Sequence, residues 1–383
     1  MYSAILQGNC TCFLTLYIMR ILCLVTDAFG GQGGIARFNQ DFLTSLSTYD
    51  NVTEVVVLPR RIVEDHYQLP PKITYLTTAN GHKIKFIYST LCTVFSNPLF
   101  DVVICGHINL LPIAFLIQLK TYSLVYLVIH GIDAWQPNPS FWVNRLVGRI
   151  DGLISVSNLT KKRFISWSKL NALPTYIFPN TVDTGQFTPG TKKKELVYRY
   201  GLENKRLILT LARLEAKERY KGFDVILEIL PSLLNKIANV VYMIAGDGSD
   251  RPRLLRKTQD LGLTNHVIFT GYLPEAEKVD HYHLADVYAM PSMGEGFGIV
   301  FLEAMACGLP VVGSLWDGGR EALRDGMLGK LVDPGNPSEV EHAIIESLKI
   351  KERRVPKGLD YFTYPKFEQR CHGLLDQLCR EKN

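Results

Sequence analysis

No stretch of this 383-residue chain offers the roughly 18 uninterrupted apolar residues that a membrane-spanning helix needs. The longest candidate, Leu110 to Ile129, is broken by Gln118 and Lys120. Eight cysteines are present, but none stand in Cys-x-x-Cys pairs, and most sit in apolar runs such as Leu22-Cys23-Leu24. That spacing argues against a zinc knuckle or disulfide framework and for reduced, buried thiols. No Asp-x-Asp pair follows an apolar run, so no acidic metal clamp is expected. There is no fixed-period repeat and no low-complexity tract. Net charge is also small: 42 Lys and Arg against 37 Asp and Glu leave +5, too little to indicate a nucleic-acid partner. It does suit an anionic small molecule, or loose contact with an acidic membrane surface.

The N-terminus lacks something too. Residues 1–18 are apolar, yet no positive charge precedes them, so they make a poor signal peptide. Met19-Arg20-Ile21-Leu22-Cys23-Leu24-Val25 reads as a start running straight into a buried strand. Residues 1–18 are therefore expected to be an extension.

What the chain does have is alternation. Short apolar runs alternate with amphipathic stretches of helix length, the pattern of a parallel sheet covered by helices. The runs are Arg20–Thr26, Val52–Leu58, Val102–Cys105, Leu124–Ile129 and Gly152–Val156 in the first half. In the second they are Leu207–Leu211, Val240–Ala245, Val267–Gly271, Val287–Pro291, Pro310–Gly313 and Lys330–Val332. Between the halves, Pro189-Gly190-Thr191-Lys192-Lys193-Lys194 reads as an exposed linker. The fold class is thus α/β, with two doubly wound Rossmann-like domains, 19–188 and 189–362, facing across a cleft. Ligands of such sheets bind at the carboxyl ends of the strands, on loops that open into helices.

Five segments fall on those loops. Gly30-Gly31-Gln32-Gly33-Gly34 lets the backbone approach an anion at a helix N-terminus, although the dinucleotide fingerprint is not matched. His130-Gly131-Ile132-Asp133-Ala134-Trp135 puts a histidine at a strand end, where it can hydrogen-bond a substrate. Arg213 and Lys221 supply two cations after one strand, as a departing diphosphate requires. In Glu295-Gly296-Phe297-Gly298-Ile299-Val300-Phe301-Leu302-Glu303, the glycines turn the chain into a helix whose first amides, Gly298 to Val300, form an anion site. Glu303 then lies one turn along, on the face of Ile299. Asp317-Gly318-Gly319-Arg320-Glu321 is a further glycine loop, of little meaning by itself.

Taken in order, Ala212-Arg213-Leu214, Lys221-Gly222, Ala245-Gly246-Asp247-Gly248, Gly271-Tyr272-Leu273-Pro274 and the Glu-x7-Glu unit with its tail Glu303-Ala304-Met305-Ala306-Cys307-Gly308 resemble glycosyltransferase family 4. The resemblance covers the second half and reaches Gly30–Gly34, His130-Gly131 and Pro179-Asn180-Thr181-Val182-Asp183 in the first. It implies a GT-B fold and a retaining transfer from a nucleotide diphosphate sugar, without metal or other cofactor. It also implies roles. Arg213 and Lys221 would hold the diphosphate, together with the amides of Gly298, Ile299 and Val300. Glu303 would bind the ribose, Glu295 and His130 the donor sugar. Leu273 would meet the base through its backbone, and Gly33 and Gly34 would lie against the diphosphate from the other domain. The last helix, within 363–383, would return to the first domain. The segment between Arg213 and Lys221 is longer than the common short form, with Arg219 as an extra cation and Lys217 as the substitute lysine.

The acceptor is expected to be a glycan or lipid-linked oligosaccharide, in surface or exopolysaccharide assembly. The protein is expected to be cytoplasmic, with peripheral contact at the inner face of the membrane. Arg60-Arg61, Lys83, Lys85 and Lys161-Lys162-Arg163 are the basic clusters available on the first domain. Two other readings stand beside this one: a sugar-nucleotide epimerase of the same plan, and a sugar-nucleotide sensor without turnover.

Overall fold

The computed structural model describes residues 18–63, 67–96 and 99–382; the extension read at 1–18 lies almost wholly outside them. Among the described residues, thirteen strands form two sheets. The first sheet contains β1 (Met19–Val25), β2 (Val52–Pro59), β3 (Ile73–Tyr75), β4 (Val102–Cys105), β5 (Leu124–Ile129), β6 (Gly152–Ser155) and β7 (Thr175–Ile177), in the order β3-β2-β1-β4-β5-β6-β7. The second contains β8 (Arg206–Leu211), β9 (Val240–Ala245), β10 (Val267–Gly271), β11 (Val287–Ala289), β12 (Val311–Ser314) and β13 (Lys330–Val332), in the order β10-β9-β8-β11-β12-β13. Neighbouring strands pair in parallel throughout.

The apolar runs make strands because helices cover both faces, so a residue of either parity is buried. All six residues of β9 are buried, as are all four of β4. The two strands that the pattern of apolar runs misses, β3 and β7, are sheet edges of three residues each, and their side chains are only partly covered.

In each sheet the strand order reverses direction at one point, between β1 and β4 and between β8 and β11. Crevices for ligands open at such points. The loops after β1, β8 and β11 therefore carry the glycines, the cations and the Glu-x7-Glu unit to two facing crevices.

On one face of the first sheet, the helices Lys83–Ser96, Leu111–Thr121, Phe141–Val147 and Asn158–Ser168 close a core around Phe86, Ile117, Leu127, Val143 and Phe164. The other face carries the helix Gly34–Thr48, and against it packs the last helix, Tyr364–Lys382. The rings of Phe38 and Phe367 meet edge to face at 5.6 Å, and Thr48 donates to Glu368 at 2.8 Å. Tyr49 donates to Asp376 at 2.6 Å. The chain that left the first sheet for the second thus returns to clasp the first.

Candidate functional site

Two helix N-termini face each other across the cleft. One begins at Gly34, after Gly33 at φ 88°. The other begins at Ile299, after Gly298 at φ 89°, a left-handed conformation that a residue with a Cβ adopts only under strain. A Cβ placed on Gly34 would lie 3.8 Å from Cγ2 of Ile299, so the two ends are near van der Waals contact. Gly33, Gly34, Gly298, Ile299 and Val300, the residues expected to face phosphate, all stand at these two ends, where the first N–H groups of a helix have no intrahelical acceptor.

The domains touch beside it. A Cβ on Gly296 would fall 2.2 Å from the His130 carbonyl oxygen, and Ser157 Oγ donates to the Gly296 carbonyl at 3.0 Å. Farther along the rim, the Glu321 carboxylate accepts from the backbone N–H groups of Asn158 and Leu159, both at 2.7 Å. An acid of the second domain thus caps the helix Asn158–Ser168 of the first.

Lys221 meets the loop that leads into the second helix end. Lys221 Nζ sits 2.5 Å from Glu295 Oε2, with both side chains largely covered. Burial works against the lysine's charge, but Glu295 beside it lifts its pKa above the ordinary value, so it stays an ammonium. Arg213 is exposed and pairs with Glu218 on its own loop. Its charge also reaches Asp27 of the first domain. Of the other basic residues in that long segment, Arg219 is drawn to Asp250 at 3.0 Å, and Lys217 is exposed. It is Lys221 that meets Glu295.

Glu303 is buried one turn into the helix Ile299–Ala306. It accepts from the Tyr282 hydroxyl at 2.7 Å and lies 3.8 Å from Lys278 Nζ. Burial raises its pKa, and Lys278, the Tyr282 hydroxyl and Arg37 of the facing domain pull it back down. Leu273, just past β10, is buried, and its neighbour Tyr272 reaches Gln32 of the glycine loop at 3.4 Å.

His130 is half-buried, with its Nε2 shielded from solvent. Its ring stands edge to face with Phe38 at 5.1 Å, and Nε2 has no partner. Burial depresses its pKa to about 3, helped by His107, so the ring is neutral. A buried imidazole nitrogen without a partner costs free energy that a bound hydroxyl can return.

Three residues that sequence reasoning gave no role hold this site. Asp133, half-buried on the same loop as His130, has a shielded Oδ2 that also lacks a partner. Asp317 is buried and accepts from Ser292 Oγ at 2.6 Å, from the Glu295 N–H at 2.9 Å and from the Gly319 N–H at 3.0 Å. It is the staple that fixes the loop presenting Glu295. Glu321 is the clasp described above. Their signal was in the sequence, in His130–Asp133 and Asp317–Glu321, but Ser292 and Glu295 stand 25 and 22 residues from Asp317, and Asn158 and Leu159 stand 163 and 162 from Glu321, so those contacts became visible only when folded.

Residues 193–356 match the family model described as Glycosyl transferases group 1. Among curated proteins, the GDP-mannose-dependent alpha-(1-6)-phosphatidylinositol monomannoside mannosyltransferase of Mycolicibacterium smegmatis is 33% identical over 225 residues, 57% of this chain and 58% of that protein. The D-inositol 3-phosphate glycosyltransferase of Thermobifida fusca is 35% identical over 212 residues, 52% of this chain and 48% of that protein. The chain thus aligns with only about half the length of these relatives. Among solved structures, Anabaena HepE in complex with UDP-glucose superposes with a TM-score of 0.73 over 94% of this chain and all of that one, at 19% identity. That likeness establishes the fold, the GT-B arrangement of two Rossmann-like domains about a cleft.

Proposed function

We propose that this chain, whose residues 193–356 are a group 1 glycosyl transferase region, is a metal-independent retaining glycosyltransferase that moves a hexose from a nucleotide diphosphate sugar to a glycan or lipid-linked acceptor. The observation that carries the proposal is the pair of facing helix N-termini at Gly33-Gly34 and Gly298-Ile299, with Lys221 paired to Glu295 on the loop that leads into the second. An anion with two charges and several oxygens is what such a corner holds best.

The diphosphate lies in the corner, its charge met by Arg213, Lys221 and the two helix ends. Glu303 takes the ribose hydroxyls, and the Leu273 backbone meets the base. The sugar extends toward His130 and Glu295. As the acceptor hydroxyl oxygen bonds to the anomeric carbon, the bond from that carbon to the phosphate oxygen breaks on the same face. The acceptor's proton passes to the departing phosphate oxygen, so the configuration is retained. Contact between the domains at Gly296 and Glu321 keeps water out, which otherwise hydrolyses the donor.

The relatives' names support a hexosyl donor and an inositol-containing or lipid acceptor, but one names GDP-mannose and the structural neighbour holds UDP-glucose. The base is therefore left to experiment. We place the reaction in surface or exopolysaccharide assembly, at the cytoplasmic face of the membrane. Among the described residues, no helix is long and apolar enough to cross a membrane. The test is product analysis with one donor series. A product with the donor's anomeric configuration, formed equally in EDTA, supports the proposal; an inverted product refutes retention.

A further inference from the structure

One face of the first domain is apolar where it should be polar. The helix Lys83–Ser96 buries Phe86, Thr90 and Val94 against the sheet, yet its opposite stripe carries Ile84, Tyr88 and Phe95, which are 81%, 70% and 69% exposed. These recur at spacings of four and seven, one continuous line along a helix. The neighbouring helix Leu111–Thr121 exposes Leu116 and Leu119, with Tyr122 just beyond its end. The next, Phe141–Val147, exposes Phe141 and Trp142. The three helices lie side by side on the same face of the sheet, so the residues form one surface. Single exposed apolar residues are ordinary, but a contiguous patch of large ones marks a binding face.

The three helices of this face carry charge of one sign. The segments 83–96, 111–121 and 141–147 contain Lys83, Lys85, Lys120 and Arg145 and no aspartate or glutamate. The cations are arranged to lie along the rings. Lys120 Nζ sits 4.0 Å from the centre of the Phe95 ring, and the Arg149 guanidinium 4.8 Å from that of Phe115. Large apolar groups flanked by long basic side chains suit an interface that is apolar below and anionic above. The face also adjoins the cleft: the helix Phe141–Val147 follows the His130 loop, and Leu111–Thr121 starts from the carboxyl end of β4.

We infer that this three-helix face docks the protein on an anionic lipid bilayer and so delivers a membrane-held acceptor to the cleft rim. The inference rests on the transferase reading only for the purpose of docking; the binding itself does not depend on it.

The experiment is vesicle co-sedimentation of the full chain, using phosphatidylcholine vesicles with and without phosphatidylglycerol. The protein should pellet with the phosphatidylglycerol vesicles and be released by high salt. Combined Ile84→Ser, Tyr88→Ser and Phe95→Ser substitutions should abolish pelleting. Lys83→Glu with Lys85→Glu should lower binding by at least about tenfold. Nucleotide binding by the same variants should be unchanged, which separates failure of docking from failure of the donor site. Retention of the wild type in the supernatant, pelleting that ignores these substitutions, or sedimentation as a dimer that the serine variant converts to monomer would each overturn the inference.

Discussion

The ammonium of Lys221 lies 2.5 Å from the carboxylate of Glu295, and this contact ties the loop after β8 to the loop after β11 at the reversal point of the second sheet. The pair is nearly enclosed, so each charge depends on the other. Removing one partner leaves the other buried and uncompensated, at a cost of about 3 kcal/mol. Lys221→Met or Glu295→Leu should each destabilise by about that amount in urea unfolding, and the double variant by clearly less than their sum. Each single variant should also lower transfer by about 10²–10³-fold, the loss expected when one electrostatic contact to a transition state is deleted.

His130 is held neutral by its burial, which depresses its pKa to about 3. Between pH 5 and 8 it therefore carries no charge, and it donates or accepts without changing form. The ring's NMR shifts should be flat over that range, and no limb of the pH–rate profile should belong to it. Truncation in His130→Ala should lower kcat/KM roughly tenfold to hundredfold, the worth of one buried hydrogen bond.

Burial penalises the ionised forms of Asp133 and Asp317 and pushes both carboxyls up to about 7. Their folded pKa values exceed the unfolded value, so the folded state holds their protons more tightly. Stability from this source is present at low pH and falls as pH rises from the ordinary carboxylate range to about 7. The Tm of Asp317→Asn relative to wild type should accordingly climb across that window. If the difference between the two stays constant with pH, the carboxyl does not titrate there.

Glu321 joins the domains through two amides of the helix Asn158–Ser168. Glu321→Ala should remove about 1–2 kcal/mol of that contact and favour a more open form. Small-angle scattering should report a larger radius of gyration without ligand, and KM for the donor should rise while circular dichroism is unchanged.

The sheets were legible because a strand covered on both faces must be apolar at every position, as in β9. The edge strands β3 and β7 were not, since their half-covered residues carry no such mark. Within the site, the order of Arg213, Lys221, Glu295 and Glu303 was readable along the chain. The Lys221–Glu295 contact spans 74 residues, and the Gly296–Ser157 contact spans 139, so neither could be read from spacing. Asp317 illustrates the limit best. A lone Asp-Gly-Gly is an ordinary turn until folding sets it under the backbone of Glu295.

The central claim is a diphosphate seat between two helix ends, and the most direct test is calorimetric titration with UDP, GDP and ADP, with and without EDTA. One of the three should bind with or without EDTA, and Lys221→Ala should weaken it at least about tenfold, the worth of one charged contact. No binding by any of them at about millimolar concentration, where weak ligands are still detected, or binding indifferent to Lys221, would contradict the account.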